Sequence, residues 1–276
     1  MEPEKKSDQS TSGINYYVIT AIVLSIVVFE ITNYYEPQID NEFDFFEAAR
    51  LLGFASVAIL SFSVAKKFWV SKSVFRKAYL SLGIAYTFYT LGDILWYVFQ
   101  VGYDITNPYP YYPDIGYFLF YPFVIWHLRT NVHYFKRNLE YRQKTLLIII
   151  PLVVAAWFIV FELIPMDVSH GVSHLKILPM EEHGQQFYNG FFMGLVDVTA
   201  TSLALSYALI GAQVFRKGIL GYAWGLILIG IALNTAADIH YYYFSIFSFD
   251  RQNPVHGIWL ASTMIISYAL YLHRKI

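Results

Sequence analysis

Two aspartates lie inside long apolar stretches of this sequence, where ionisable side chains are rare. Asp93 belongs to "GDILWY", and Asp238 belongs to "AADIHYYYF" about 145 residues later. A charge at the centre of a bilayer costs roughly 2.5–3.5 kcal/mol on insertion scales, so such residues face a bundle interior or a water-filled space. Both aspartates are therefore candidate anchors for a polar ligand or a proton. The alternative is that they tie helices together by accepting hydrogen bonds from tyrosine, asparagine or Arg50.

Further polar and aromatic residues fall near the same depth as these two acids. Trp96 lies three residues after Asp93 and Asn234 four residues before Asp238, spacings that share a helical face. Asp114 begins an apolar stretch and is also a candidate helix cap. We predict no catalytic residue and no metal ligand among them. The predicted ligand-binding residues are Asp93, Trp96, Asp114, Tyr117, Asp197, Asn234, Asp238, His240, Tyr241 and His256.

The composition indicates what positions these side chains. Of the 276 residues, 57% are hydrophobic and 14% are charged, whereas soluble domains carry about 25% charged residues. A helix needs about 20 mostly apolar residues to cross a bilayer. The sequence therefore predicts an all-α, polytopic membrane protein with eight transmembrane helices, near residues 14–34, 46–65, 78–100, 114–129, 145–164, 186–213, 219–247 and 256–273.

The basic residues predict the orientation of these spans. Sixteen lysines and arginines fall on the side of the two chain ends, and three fall on the opposite side. Basic residues are enriched in cytoplasmic loops, so both termini are expected in the cytoplasm of a protein of the cell membrane. Residues 1–13 form a polar cytoplasmic tail in this interpretation.

The two halves of the chain resemble one another weakly. "VVFEIT" is similar to "IVFELI", "GDILWYVF" to "ADIHYYYF", and Asp114–Tyr117 to His256–Trp259, in a common order. We predict a parallel internal repeat of four helices each, over residues 14–144 and 145–276. Parallel repeats occur in transporters, where the site lies near the repeat interface, but duplication also builds receptors.

Several kinds of chemistry find little support. The chain has no cysteine and a net charge of −1, which argues against thiolate sites and against nucleic-acid binding. No nucleotide fingerprint or serine-hydrolase elbow is present, and we predict no cofactor. His170 and His174, with Glu181, Glu182 or His183, offer a weak zinc pattern in a loop. His127, His240, His256 and His273 lie at opposite ends of their spans, which disfavours an intramembrane three-histidine site.

The segment "LGDILWYVFQVGYDITNPYPYYPDIGYFLFYPFVIWHLR" resembles multi-span sensor regions of bacterial signalling proteins. Those regions precede diguanylate cyclase or histidine kinase domains. The similarity rests on Gly92-Asp93 with Trp96, Pro108 with Pro110, Asp114 with Tyr117, and Tyr121-Pro122. It covers about 40 residues closely, with Pro113 where alanine is usual. The sequence ends at Ile276 with no output domain, so a sensor interpretation predicts a separate cytoplasmic signalling partner.

These observations predict a sensor-like membrane protein that binds a small or lipidic ligand, or a proton, in an outward-facing polar and aromatic cavity. A small-solute or ion transporter using the same acids is the alternative. A metal-dependent, lipid-modifying membrane enzyme is a third interpretation. The lipid bilayer is the expected environment, and the oligomeric state stays open.

Overall fold

The protein is an assembly of long helices. In the computed structural model the chain is described over residues 15–35, 45–69, 74–103, 111–163, 184–215, 218–247 and 255–275, and within these ranges it forms helices without any strand. The polar tail and the loop with His170, His174, Glu181, Glu182 and His183 lie outside the described residues. The helices are α1 (Tyr16–Tyr35), α2 (Phe45–Lys67), α3 (Val74–Tyr97), α4 (Tyr112–Phe135), α5 (Tyr141–Leu163), α6 (Gly184–Val214), α7 (Gly218–Phe247) and α8 (Val255–Lys275).

The predicted all-α class and the eight predicted helices are confirmed. Helix ends differ from the predicted ones by at most six residues, the largest difference being at the end of α4. A π-helical segment, Val98–Gly102, continues α3. The repeat boundary predicted after residue 144 falls in the first turn of α5, which begins at Tyr141.

Within the described ranges, five helices are long and apolar enough to cross a membrane. These stretches are Glu47–Lys67, Tyr141–Val160, Phe191–Val214, Gly221–Tyr241 and Val255–Lys275, and α1 carries a shorter apolar stretch, Tyr16–Thr32. The other two helices, α3 and α4, have no such stretch, and they contain many tyrosines and several charged or amide side chains. Much of their polar surface is buried against neighbouring helices.

Six helices form a closed ring. Going round it, α2 packs against α3, α3 against α4, α4 against α6, α6 against α7, α7 against α8, and α8 again against α2. The remaining two helices lie outside, with α1 against α8 and α5 mainly against α6. The outward surface of α5 is apolar and exposed, as expected for a helix that faces lipid.

Small residues let the ring helices approach closely. A Cβ atom on Gly116 of α4 would lie 2.7 Å from the carbonyl oxygen of Phe88 and 2.9 Å from the backbone of Gly92, both on α3. Between α2 and α8, the hydroxyls of Ser56 and Ser267 are 2.8 Å apart. Small residues and interhelical hydrogen bonds are typical of helix packing in membranes, where the hydrophobic effect does not drive helices to associate.

The ring has two chemically different ends. At one, which we call the acid end, α3 and α7 finish and α2, α4 and α8 begin, bringing together Asp93, Asp238, Arg50, Tyr117 and Trp259. At the other, the histidine end, α3 and α7 begin and α4 and α8 finish. The candidate site lies at the acid end.

Candidate functional site

Asp93 is buried near the end of α3 and is held by two neighbouring helices. Its Oδ1 atom lies 3.2 Å from Nη2 of Arg50, which comes from the first turns of α2. The same oxygen accepts a 2.8 Å hydrogen bond from the hydroxyl of Tyr117 on α4. Side-chain exposure is 5% for Asp93 and 11% for Arg50. This ion pair is shielded from water, so each charge relies on its partner to compensate for the lost hydration.

Asp238 lies in the last third of α7 and is held by different partners. Its Oδ1 atom accepts a 2.9 Å hydrogen bond from Nε1 of Trp259 on α8, and its Oδ2 atom accepts a 2.8 Å bond from Nδ2 of Asn234, one turn earlier. The carboxyl group is buried, with 4% exposure. The Thr201 side chain on α6 also hydrogen-bonds to this carboxyl group. Neutral donors, and not a cation, therefore hold Asp238.

Arg50 connects the two aspartates. Its guanidinium carbon lies 5.3 Å from the ring centre of Trp259, a distance at which a cation is attracted to the face of an indole. One continuous set of contacts thus runs from Tyr117 through Asp93 and Arg50 to Trp259, Asp238 and Asn234. We call these six residues the acid–arginine network.

The network is enclosed by further polar and aromatic groups. Tyr89 stacks on Phe54, with ring centres 4.0 Å apart, and lies beside Tyr117. Its hydroxyl is within electrostatic reach of Asp93, Asp197, Asp238 and Arg50. Asp93, Asp197 and Asp238 therefore lie within electrostatic reach of one tyrosine hydroxyl, whereas Arg50 itself interacts with the carboxylates of Asp93 and Glu47.

Some polar atoms in this region have no hydrogen-bond partner among the residues that the structure describes. They are Nε of Arg50, Oδ2 of Asp93, Oδ1 of Asn234 and Nδ1 of His256. Each belongs to a buried or half-buried residue. Leaving such an atom unpaired costs about 1–3 kcal/mol, more where it is charged, so these atoms mark positions suited to water, an ion or a polar ligand.

The remaining predicted site residues lie in three different environments. Tyr241 and His256 contact the ring of Trp259, at 5.5 and 5.9 Å between ring centres. Asp114 caps α4 instead, because its Oδ2 atom accepts a 2.6 Å hydrogen bond from the backbone N–H of Tyr111. Trp96 and His240 are half-buried on α3 and α7.

A small internal cavity lies along the ring axis between the two ends. Its volume is about 20 Å³, enough for one water-sized particle. Its walls come from five helices, and most of them are apolar. Thr201 and Asn234 line it toward the acid end, while His127 lines it toward the histidine end.

The histidine end contains a second buried polar cluster. The ring of Tyr79 contacts those of His127 and His273, with centres 5.0 and 5.5 Å apart. Nδ1 of His127 lies 2.9 Å from the carbonyl oxygen of Ala78. Among the described residues, no group of three or more His, Asp or Glu side chains is arranged to hold a metal ion.

Three important members of the site have only weak signals in the sequence. Arg50 was considered only as a possible tether, although it pairs with Asp93 and lies over the ring of Trp259, which donates to Asp238. Trp259 was predicted only as the repeat partner of Tyr117, and its N–H donor role has no sequence signature. Tyr89 was overlooked because one buried tyrosine among 24 carries no distinguishing pattern.

Comparison with known proteins adds no assignment. No protein-family model, curated protein or solved structure matches the chain. The resemblance to bacterial sensor regions therefore stays a prediction.

Proposed function

We propose that the protein is a sensor-like integral membrane protein whose eight helices all span the bilayer of the cell membrane, with both termini in the cytoplasm. The distribution of charge supports this orientation. Basic residues cluster at the histidine end. Lys66 and Lys67 end α2, Arg76 and Lys77 lie near the start of α3, and further basic residues follow α4 and end α8. By the positive-inside rule that end is cytoplasmic and the acid end faces outward.

We further propose that the ring consists of two four-helix repeats, residues 14–144 and 145–276. The ring contacts support this, because exchanging α2, α3 and α4 with α6, α7 and α8 reproduces the same order of neighbours. The two aspartate contacts correspond as well. Asp93 with Tyr117 matches Asp238 with Trp259, each pair joining the third and fourth helix of a half.

The acid–arginine network is the proposed sensing site. The observation that carries this proposal is that one buried network joins both halves of the ring and leaves buried polar atoms unpaired. A small polar or lipidic ligand, or a proton, that pairs with these atoms would favour one packing of the two halves over another. The response is then a population shift set by the difference in affinity for the two packings. A separate cytoplasmic partner would read the change at the histidine end.

The proposal can be tested with spin labels, because the chain has no native cysteine. Nitroxides on Tyr103→Cys and Phe192→Cys report the distance between exposed positions of the two halves. With protons as the probe, we expect two distance populations whose ratio changes between about pH 5 and pH 8. The double variant Asp93→Asn/Asp238→Asn should hold one ratio throughout. A single, pH-independent distribution in both proteins would indicate a static scaffold.

Transport of an ion or small solute is the second candidate. The cavity on the ring axis favours it, because that cavity lies between the acid end and the buried cluster at the histidine end. A transporter would catalyse flux of the solute into proteoliposomes, and Asp238→Asn would abolish it. A sensor would show the distance change without flux.

A further inference from the structure

Exposed aromatic side chains lie together on one side of the histidine end. Trp69 follows α2, while Tyr134 and Phe135 end α4, and their exposed fractions are 57%, 54% and 45%. Phe75, in the first turn of α3, has its ring centre 5.3 Å from that of Tyr134 and 5.5 Å from that of Phe135. It lies equally close, at 5.5 Å, to Phe68, which directly precedes Trp69. These rings therefore form one continuous surface across α2, α3 and α4.

A guanidinium group lies flat against this surface. The guanidinium carbon of Arg76 is 3.4 Å from the ring centre of Trp69, and the exposed Lys77 follows it in the chain. Stacking on an indole fixes the plane of a guanidinium and leaves its N–H donors at the edge for another partner. We call Trp69, Phe75, Arg76, Lys77, Tyr134 and Phe135 the basic–aromatic surface.

Carboxylates that could balance this positive charge are scarce nearby. Of the described residues at the histidine end, only Glu140 carries a carboxylate, and its Oε1 atom lies 2.6 Å from Nζ of Lys136. That hydrogen bond, together with the positive charges of Lys136 and Arg142, lowers the pKa of Glu140. Glu140 is therefore ionised at neutral pH and neutralises Lys136. Within the described part of the chain, Arg76 has no carboxylate at ion-pair distance.

Basic residues elsewhere at the histidine end are better compensated by the protein itself. Lys67 ends α2, and its Nζ atom donates a 2.8 Å hydrogen bond to the carbonyl oxygen of Arg274 near the end of α8. The end of a helix attracts cations because its last carbonyl groups carry partial negative charge, whereas the start of a helix repels them. Arg76 and Lys77 lie in the first turns of α3, so their charge calls for an anion from outside the protein.

We propose that the basic–aromatic surface binds the headgroup of an anionic phospholipid in the cytoplasmic leaflet, with the guanidinium of Arg76 on the phosphate. Basic clusters directly cytoplasmic of transmembrane helices attract such headgroups, and a guanidinium can donate two parallel hydrogen bonds to one phosphate. Aromatic side chains at the ends of spans lie at headgroup level. Tyr134 and Phe135 are the last residues of α4, which favours a lipid over an acidic soluble protein.

This inference rests on the proposed crossing of the membrane by α2, α3 and α4, but not on the sensing role of the acid end. The test uses the purified full-length protein in neutral detergent, titrated with fluorescently labelled phosphatidylglycerol or phosphatidylcholine in mixed micelles. Fluorescence anisotropy then gives a dissociation constant for each lipid. We expect phosphatidylglycerol to bind more tightly by about fivefold or more, since one basic residue near an anionic surface contributes about that factor. The preference should disappear in about 1 M NaCl, where charges are screened within about 3 Å.

Three variants separate a defined surface from the total charge. Arg76→Gln should weaken the binding of phosphatidylglycerol by about fivefold. Arg274→Gln is the matched control, because it removes the same charge from an exposed position at the same end, outside the basic–aromatic surface, and it should leave the dissociation constant nearly unchanged. Glu140→Gln releases Lys136, which directly follows Phe135, and should strengthen the binding. A gain of binding cannot result from a loss of folding.

Two results would overturn the proposal. Equal dissociation constants for the two lipids would show that the surface does not recognise an anionic headgroup, and would leave an acidic protein as its partner. Equal losses in Arg76→Gln and Arg274→Gln would show that lipids respond to the total charge of this end and not to the basic–aromatic surface. Failure of the sensing proposal is measured separately, by the nitroxide distances, so the two failures are distinguishable.

Discussion

Tyr117 and Trp259 hold the two buried aspartates in corresponding ways. Each lies near the start of its helix and donates one hydrogen bond to the aspartate near the end of the preceding ring helix, at 2.8 Å to Asp93 and 2.9 Å to Asp238. The donors differ, a phenol in one half and an indole in the other. The other partners of the two aspartates differ as well, because of the two only Asp93 is also paired with Arg50.

This difference predicts unequal effects of removing the two donors. Tyr117→Phe removes one hydrogen bond from an aspartate that keeps its guanidinium partner, so we expect a loss of about 1 kcal/mol in the free energy of unfolding. Trp259→Phe should cost about 2–3 kcal/mol, because it leaves Asp238 with fewer donors and no paired cation. Denaturation by SDS in mixed micelles measures both. Equal losses would mean that Arg50 does not support Asp93 as the geometry indicates.

The ion pair between Arg50 and Asp93 predicts a compensation between two substitutions. Arg50→Met leaves a buried carboxylate without its charge partner, and breaking a buried pair in this way costs about 3–5 kcal/mol. Adding Asp93→Asn removes the stranded charge, so the double variant should be more stable than Arg50→Met alone. A double-mutant cycle in the same denaturation assay measures the coupling. Strictly additive losses would contradict a direct interaction.

The close packing of α3 on α4 predicts that substitution by alanine lowers the stability of the protein strongly at one glycine and little at another. A Cβ atom on Gly116 would meet backbone atoms of Phe88 and Gly92, which cannot move aside without separating the helices. Gly116→Ala should therefore destabilise the protein by about 1–3 kcal/mol. Gly225→Ala on α7 is the matched control, since nothing lies within 4 Å of its added methyl group. The control should be neutral or stabilising by up to about 1 kcal/mol.

The helices could be predicted from the sequence more fully than the site. Long apolar stretches indicate each helix because a membrane requires about 20 such residues, and polar clusters mark where they end. The helix cap at Asp114 was also foreseeable, since a carboxylate at a helix start accepts free backbone N–H groups. Both features depend on local sequence.

The partners of the two aspartates depend on how helices rotate against each other, which spacing along one helix does not determine. Trp96 shares a helical face with Asp93 by spacing, yet the hydrogen bonds to Asp93 come from Arg50 and Tyr117 on other helices. Asn234 was predicted from spacing and does contact Asp238, because both residues lie on α7. Contacts within a helix were thus accessible from the sequence, and contacts between helices were not.

The last prediction concerns the proposed crossing of the membrane by α3 and α4. It matters because these are the two ring helices without a stretch that is long and apolar enough to be recognised as a membrane span. If both span, Tyr103 after α3 and Asn138 after α4 lie on opposite sides of the membrane. Because the chain has no cysteine, Tyr103→Cys and Asn138→Cys each introduce a single reactive thiol at an exposed position. A membrane-impermeant maleimide should label Tyr103→Cys in intact cells, and Asn138→Cys only after permeabilisation. Labelling of both in intact cells would place α4 outside the bilayer, and the reverse pattern would invert the orientation, moving the acid–arginine network to the cytoplasmic side.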